Sequence, residues 1–340
     1  MKKIVFSLLL FAIFVSVSYG QQEKEGTGRF FPVKQGGKFG YIDNTGKIII
    51  KPQFNFAIYP FEGLAAVVIN HKWGYVDQTG RLVIKPSFDH TQRFSEGLAA
   101  VKVGKKVGYI DKNGKMVISP QFDDFPTSEP KLGSIQNFSE GLAVVKRGNK
   151  FGFIDKSGKI VILPQFDFAS NFSEGLAMVT IGQRWGYMGY IDKTGKRAVS
   201  PQCDFAEPFY EGLAAVRIKD GWGYIDTAGK ELIYNPEFEW ATDFSEGLAA
   251  VKIDGKWGFI DRTGKIVISP KFEETFWFSE GLAPVKVGSK WGYINKKGKI
   301  VVNPQFDKAG YFSDALALVS MGKKMGYIDA NGKYLWKPTE

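Results

Sequence analysis

The segment Leu64–Gly97, LAAVVINHKWGYVDQTGRLVIKPSFDHTQRFSEG, aligns without a gap with Leu248–Gly281, LAAVKIDGKWGFIDRTGKIVISPKFEETFWFSEG. A chain that repeats itself at 34 residues builds one small unit many times, and each unit buries its apolar surface against its neighbours. Equivalent segments begin at Phe30, Leu64, Leu98, Leu142, Leu176, Leu213, Leu248, Leu282 and Leu316, with successive spacings of 34, 34, 44, 34, 37, 35, 34 and 34. The first copy lacks the leucine and the last stops before its Phe-Ser-Glu-Gly segment, as the terminal members of a stack do.

Each copy reads as three short strands, LAAVKI-like, WGYID-like and KIVI-like, ended by glycine, asparagine or proline. The second and third are joined by Asp-x-x-Gly-Lys, as in Asp77–Arg81, Asp155–Lys159 and Asp261–Lys265. An aspartate that bonds the backbone two residues on, followed by a left-handed glycine, predicts a type I turn with a G1 bulge. The mid-strand glycine, from Gly40 to Gly326, implies that a neighbouring unit approaches closely there. Proline closes the third strand. A phenylalanine stands two residues after it, except at Cys203, and a further aromatic six beyond, as in Phe88 with Phe94; these rings are expected to plug the spaces between units.

The phrases KWGYID, TGKIVI, PQFD and FSEGLA resemble those of the WG-repeat (KWG-repeat) family over residues 30 to 338. The resemblance implies a β-rich repeat module of exported or surface bacterial proteins, with no catalytic residues to carry over. The expected fold is an all-β tandem array of nine three-stranded antiparallel units. An open or superhelical stack is preferred to a closed propeller-like ring, because propeller blades usually have four strands and number four to eight.

Residues 1–20 combine Lys2 and Lys3 with an apolar run from Ile4 to Val17, the form of a secretory signal peptide. The run is short for a membrane span. Residues 21–29 read as a linker and 30–340 as the repeat domain. No transmembrane segment is expected after cleavage, and an exported location, whether periplasm, cell surface or medium, argues against a nucleic-acid partner. Loss of the two lysines takes the formal net charge from +10 to +8, which attracts anionic polymers without naming one. Cys203 is the single cysteine, so no intramolecular disulfide forms, and a large secreted chain without one points to a bacterial source.

His71 and His90 are too few for a zinc site, and the turn aspartates already have turns to make, so no metal or other cofactor is expected. The FSEG glutamate, as in Glu96 or Glu280, is expected to face the KWG lysine, as in Lys72 or Lys256. Acids that occur once rather than per repeat are Glu129, Glu231, Glu239, Glu273 and Glu274; a carbohydrate-active enzyme hidden in units 3 to 7 is the alternative they leave open. Function is otherwise expected where copies differ. Phe56, His90, Phe168, Phe205, Trp240, Glu274 and Lys308 form one variable row; Pro60, Arg93, Asn171, Pro208, Asp243, Trp277 and Tyr311 form another. Trp240, Trp277, His90, Arg93 and Tyr311 make up the candidate ligand surface, for a protein or an anionic polysaccharide. Two interruptions stand out: an insertion within Asp124 to Gln136, read as a surface loop, and Tyr187 to Gly189, read as a bulge. The sequence thus predicts a non-enzymatic scaffold of the cell envelope or exterior.

Overall fold

The computed structural model describes residues 30–124, 137–182, 187–200 and 203–339. The expected signal peptide and linker, the insertion with Glu129, and the residues just before Tyr187 lie outside them. The described chain is all β, in small antiparallel sheets that follow one another in tandem. No helix among the described residues is long and apolar enough to cross a membrane.

A representative repeat has four strands: Phe56–Ala57, Ala65–Ile69, Lys72–Val76 and Leu82–Phe88, hydrogen-bonded in sequence order. We call them strands a to d. Strands b, c and d are those the sequence predicts, except that proline does not close strand d: the strand runs through Pro86 to Phe88, and the register shift between Ile84 and Phe88 leaves the proline without a ladder bond to donate. Strand a is an addition, two residues long, pairing Phe56 with Val68 and Ala57 with Val67. It is too short to show alternation, and its first residue is the one that varies between copies. The sheets are therefore phased differently from the alignment. Each begins just after Pro-x-Phe, so the aligned segment Leu64–Gly97 spans strands b to d of one sheet and strand a of the next.

The c–d hairpin forms as predicted. The Asp77 carboxylate accepts from the Thr79 N–H and Oγ1 at 2.9 and 2.6 Å and from the Arg81 N–H at 3.1 Å, while Gly80 takes φ +82°. The a–b loop is a two-residue turn, Glu96 at φ 53° and Gly97 at φ 85°, closed by the Ser95–Leu98 bridge. Two positive φ values in a two-residue hairpin loop define a type I′ turn, for which Asn-Gly is the favoured pair. Glutamate occupies the first position from Glu62 to Glu280.

The mid-strand glycine has a different neighbour from the one expected. A Cβ on Gly258 would lie 2.5 Å from the Ile268 carbonyl oxygen and 2.7 Å from the Pro270 nitrogen, both on strand d of the same sheet. There the c–d register shifts, between Trp257 and Phe259, and strand d bulges against strand c. Contact between repeats is made instead by the turn glycine: a Cβ on Gly80 would meet Ile50 of the preceding repeat at 3.2 Å, and one on Gly298 would meet Ile268 at 3.1 Å. The predicted bulge at Tyr187–Gly189 is absent from the b–c pairing. Val179 faces Gly189 and Met178 faces Tyr190 in unbroken register, so Gly189-Tyr190 fills the usual Gly-Tyr position.

The described chain forms two compact bodies. One runs to Pro164 and includes Lys323–Tyr327 and Tyr334–Glu340; the other comprises Gln165–Gly322 and Ile328–Lys333. In both, the tyrosine of strand c and the phenylalanines around Pro-x-Phe are among the largest buried groups. Tyr75, Phe88 and Phe94 in the first, and Tyr224, Phe238 and Phe244 in the second, are each at most 8% exposed. The tyrosine hydroxyl reaches the next repeat. Tyr75 donates to the Gln92 carbonyl at 2.6 Å and bonds the Thr91 hydroxyl; Tyr224 donates to Thr242 O at 2.7 Å. Its ring lies edge-on or tilted against the next repeat's phenylalanine, at 4.8 Å for both Tyr75–Phe94 and Tyr224–Phe244. The C-terminal strands make the same bond within the first body. Tyr327 donates to Pro32 O at 3.0 Å, meets Tyr59 hydroxyl to hydroxyl at 2.8 Å, and packs on Phe31.

Two expected outcomes follow from this packing. Gly258→Ala should destabilise the protein by about 1–3 kcal/mol, the range for overpacking a well-filled site, whereas Gly288→Ala, whose Cβ would meet nothing within 4 Å, loses only what its φ of +62° imposes; urea unfolding of both variants checks this. Tyr327→Phe should cost about 1–3 kcal/mol, because it strands a buried carbonyl. Hydrogen exchange in the first two repeats would show the loss, and unchanged protection there would contradict it.

Candidate functional site

The recurring polar residues bind repeats to one another. The Glu62 carboxylate accepts the Gly97 N–H at 3.0 Å and pairs with the Lys112 ammonium at 2.9 Å, both in the next repeat. Glu96 does the same with Gly141 at 3.0 Å and Lys156 at 3.1 Å. In the second body Glu174 accepts from Gly212, Glu211 from Gly247, Glu246 from Gly281 and Glu280 from Ala315, at 2.8 to 3.0 Å. Beside them the serine hydroxyl donates to the next repeat's phenylalanine carbonyl: Ser95 to Phe138 and Ser279 to Phe312, each at 2.7 Å.

This corrects the expected ion pair. The FSEG glutamate meets the lysine of the hairpin turn, and the KWG lysine meets the acid after Pro-x-Phe: Lys72–Asp89, Lys106–Asp123 and Lys290–Asp307 at 2.6 Å, Lys256–Glu273 at 3.1 Å. The same aspartates accept a turn amide, Gly104 to Asp89 at 2.7 Å and Gly148 to Asp123 at 2.7 Å. The lysine bond first and then the amide hold Asp89 and Asp123 below the usual carboxylate range; at Asp307 the Gly322 amide leads and Lys290 follows.

Two more of the singular acids, besides Glu273, are engaged in like manner. Glu239 accepts from the Gly255 N–H at 3.0 Å, and Glu274 pairs with Lys286 at 2.5 Å. No group of three or more His, Cys, Asp or Glu among the described residues could hold a metal ion. Burial pushes the Cys203 thiol up to about 11, which suits its place as the small apolar substitute for phenylalanine.

The five candidate surface residues fall into separate ring contacts. In the first body His90 begins strand a and lies 5.3 Å from Trp73, which meets Phe56 at 5.7 Å, which meets Phe39 at 5.3 Å. Burial lowers the pKa of His90, so the imidazole is neutral at pH 7. Arg93 lies with its guanidinium carbon 4.3 Å above the Phe61 ring. In the second body Trp240 begins strand a, is 43% exposed, and leans on Trp222 at 5.1 Å. Trp277 and Tyr311, from consecutive repeats, come together at 5.4 Å with an interplanar angle of 35°. Trp277 also meets Phe276, which stacks on Trp291.

The second variable row needs one change of register. The bridges Phe61–Leu64 and Ser95–Leu98 are equivalent, so the counterpart of Arg93 is Tyr59, not Pro60. Proline at 60 stands where the other copies have phenylalanine, and this shifts the eye by one residue. The same row contains Asn137, which the sequence reading passed over beside the insertion. It is 3% exposed.

A family model described as WG containing repeat matches residues 39–73, 73–106, 108–151, 151–185, 188–221, 222–257, 257–291 and 291–324. The chain belongs to the WG-repeat family. No curated protein sequence matches it. Among solved structures, this WG-repeat protein is similar to one described as the crystal structure of the eukaryotic initiation factor, with a TM-score of 0.67 and 11% identity. That match covers 92% of this chain and 98% of the other. The dihydro-heme d1 dehydrogenase NirN, in complex with DHE, aligns over 95% of this chain and 77% of its own at 12% identity, with a TM-score of 0.48. At these identities the first likeness is one of fold, and the second carries no argument.

The carboxylate geometry gives WG-repeat ties a defined acid sensitivity. Depressed folded-state pKa values mean that Asp89, Asp123 and Asp307 stabilise the fold fully above the ordinary aspartate value near 3.8. That contribution is lost as pH falls from there through the depressed values. The combined Asp89→Asn, Asp123→Asn and Asp307→Asn variant should be less stable than the parent at pH 7 and should lose less than the parent between pH 5 and pH 2.5, by urea midpoint.

Proposed function

We propose that this protein is a non-enzymatic scaffold, exported to the bacterial cell envelope or beyond, that holds a protein or anionic glycan partner on its variable residues. The observation that carries the reading is the division of labour among side chains. The acids, lysines, serines and tyrosines that recur in the repeat are spent on turns and on ties to the next repeat. Residues at two positions per repeat change freely, and there aromatic and basic groups collect: Trp240 with one indole face against Trp222, Trp277 against Tyr311, Arg93 over Phe61. A sugar ring stacks on an exposed indole, and a formal net charge of +10, or +8 without Lys2 and Lys3, favours an acidic polymer over a neutral one.

The secreted form of the chain, screened against envelope polysaccharides and a lysate of its own organism, should retain a partner at physiological salt and not only at low salt. Trp240→Ala and Trp277→Ala should each weaken that retention several-fold, in line with about 0.5–1.5 kcal/mol for an aromatic contact. Retention at low salt alone, or unchanged binding by both variants, would count against a site on these rows.

A further inference from the structure

We propose that strand d of the fourth repeat, Ile160–Phe166, is a docking edge for a second copy of this chain, which pairs with it antiparallel about a two-fold axis at Leu163.

Strand d ends its sheet, so among the described residues its far side carries backbone N–H and C=O groups with no strand beside them. Natural proteins guard such edges with charged or polar side chains. The residue that follows the buried isoleucine or valine of strand d does this in most copies, as Lys51, Lys85, Ser119, Ser269 and Asn303 show. In the fourth repeat that residue is Leu163. At 69% exposure it is the most exposed large apolar side chain among the described residues, and Val161, two residues before it, is 41% exposed. Tyr234 takes the same place in the sixth repeat, at 38%, and keeps a hydroxyl at its tip.

The backbone at Leu163 faces outward. A Cβ on Gly152 of strand c would lie 2.5 Å from the Ile162 carbonyl oxygen and 2.6 Å from the Pro164 nitrogen, so both of those atoms turn towards strand c. Successive peptide groups of an extended chain point to opposite sides. The N–H and C=O of Leu163, which lie between them, therefore point to the free edge. Pro164 takes nothing from that edge, because the N–H it lacks would have pointed inward. Two antiparallel strands crossing at such a residue exchange both of its hydrogen bonds, with Cα atoms about 5.5 Å apart.

The sequence around Leu163 matches its own reverse in charge. Lys159 stands four residues before Leu163 and Asp167 four residues after it, so antiparallel pairing sets the lysine of each copy across from the aspartate of the other. The same pairing in the first or second repeat would set Lys51 against Lys51 or Lys85 against Lys85, and like charges directly opposite one another work against a pair. Serine or asparagine at that place offers no apolar contact. Leu163 both removes the guard and supplies the contact, side chain to side chain. The strand is short, and the area it covers falls below the roughly 1,000 Å² of a stable interface, so the dimer is weak and reversible.

Sedimentation velocity of the full secreted chain, from about 5 to 500 µM at physiological salt, tests this. The average mass should rise from monomer towards dimer across that range. Leu163→Lys installs, at an exposed place, the residue that the first two repeats already carry; it should weaken the dimer about tenfold or more with an unchanged thermal midpoint. Lys159→Asp, which sets acid against acid, should weaken it as well. Ser119→Lys, the equivalent change one repeat earlier, should leave it intact. A parent that stays monomeric at the highest concentration, or a dimer that survives Leu163→Lys, would overturn the proposal; the first result would do so even if Leu163 held a strand of some other protein. Neither result bears on ligand binding at the variable rows.

Discussion

A glutamate carboxylate of one repeat accepting a turn amide of the next is the contact on which the rest of the structure depends. The a–b loop is a type I′ turn, in which both residues take left-handed backbone angles. Asparagine or glycine would enter it more easily than glutamate, whose φ near +53° costs on the order of 1–2 kcal/mol. The chain takes that conformation at each such turn from Glu62 to Glu280, and the carboxylates of Glu62, Glu96, Glu174, Glu211, Glu246 and Glu280 each reach a turn amide of the next repeat. The Glu96 carboxylate spans to Gly141, satisfies a turn donor that would otherwise face the interface, and is met from the side by Lys156. Local turn preference yields to contact between repeats.

Once that spacing is set, the remaining contacts fall into place. The c–d turn glycine settles on the preceding repeat's isoleucine, the tyrosine hydroxyl finds the carbonyl beside the next strand a, and the KWG lysine closes on the acid after Pro-x-Phe. Each is modest alone: an exposed ion pair is worth about 0–1 kcal/mol and a net hydrogen bond about 0.5–1.5 kcal/mol. Buried rings supply the larger share, at about 1.5–3 kcal/mol each. The polar ties fix register, so that every ring meets its intended partner. A frame secured this way leaves two positions per repeat free to vary, and those are where a binding surface can change without disturbing the stack.

Much of this was legible in the sequence, and the misses share a cause. The Asp-x-x-Gly-Lys hairpin could be predicted because all of its determinants lie within five residues. The buried phenylalanines were readable for the same reason, but the proline was misjudged as a strand end, because only the c–d register shift shows how a residue without an N–H fits inside strand d. Strand a was invisible because two residues carry no periodicity. The mid-strand glycine was rightly taken as a point of close approach, but only the c–d register shift reveals that its neighbour is strand d of its own sheet. The lysine partners were exchanged, because spacing alone cannot say which of two acids in the repeat lies nearer. At the candidate site, Trp277 and Tyr311 were rightly assigned to one row and do touch. Tyr59 was hidden by Pro60, and Asn137 by the insertion before it, since both break the pattern that the eye follows.

Native-state hydrogen exchange at the turn glycines tests the account most directly. The amides of Gly97, Gly141 and Gly281 sit in two-residue turns, where exchange is ordinarily fast. Because each donates to a glutamate of the neighbouring repeat, they should be protected to nearly the level of the strand c amides, and Glu96→Ala, which removes the acceptor, should release Gly141 while leaving Gly281 protected. Exchange of all three at the rate of exposed loop amides would show that the carboxylate contacts do not hold the repeats together.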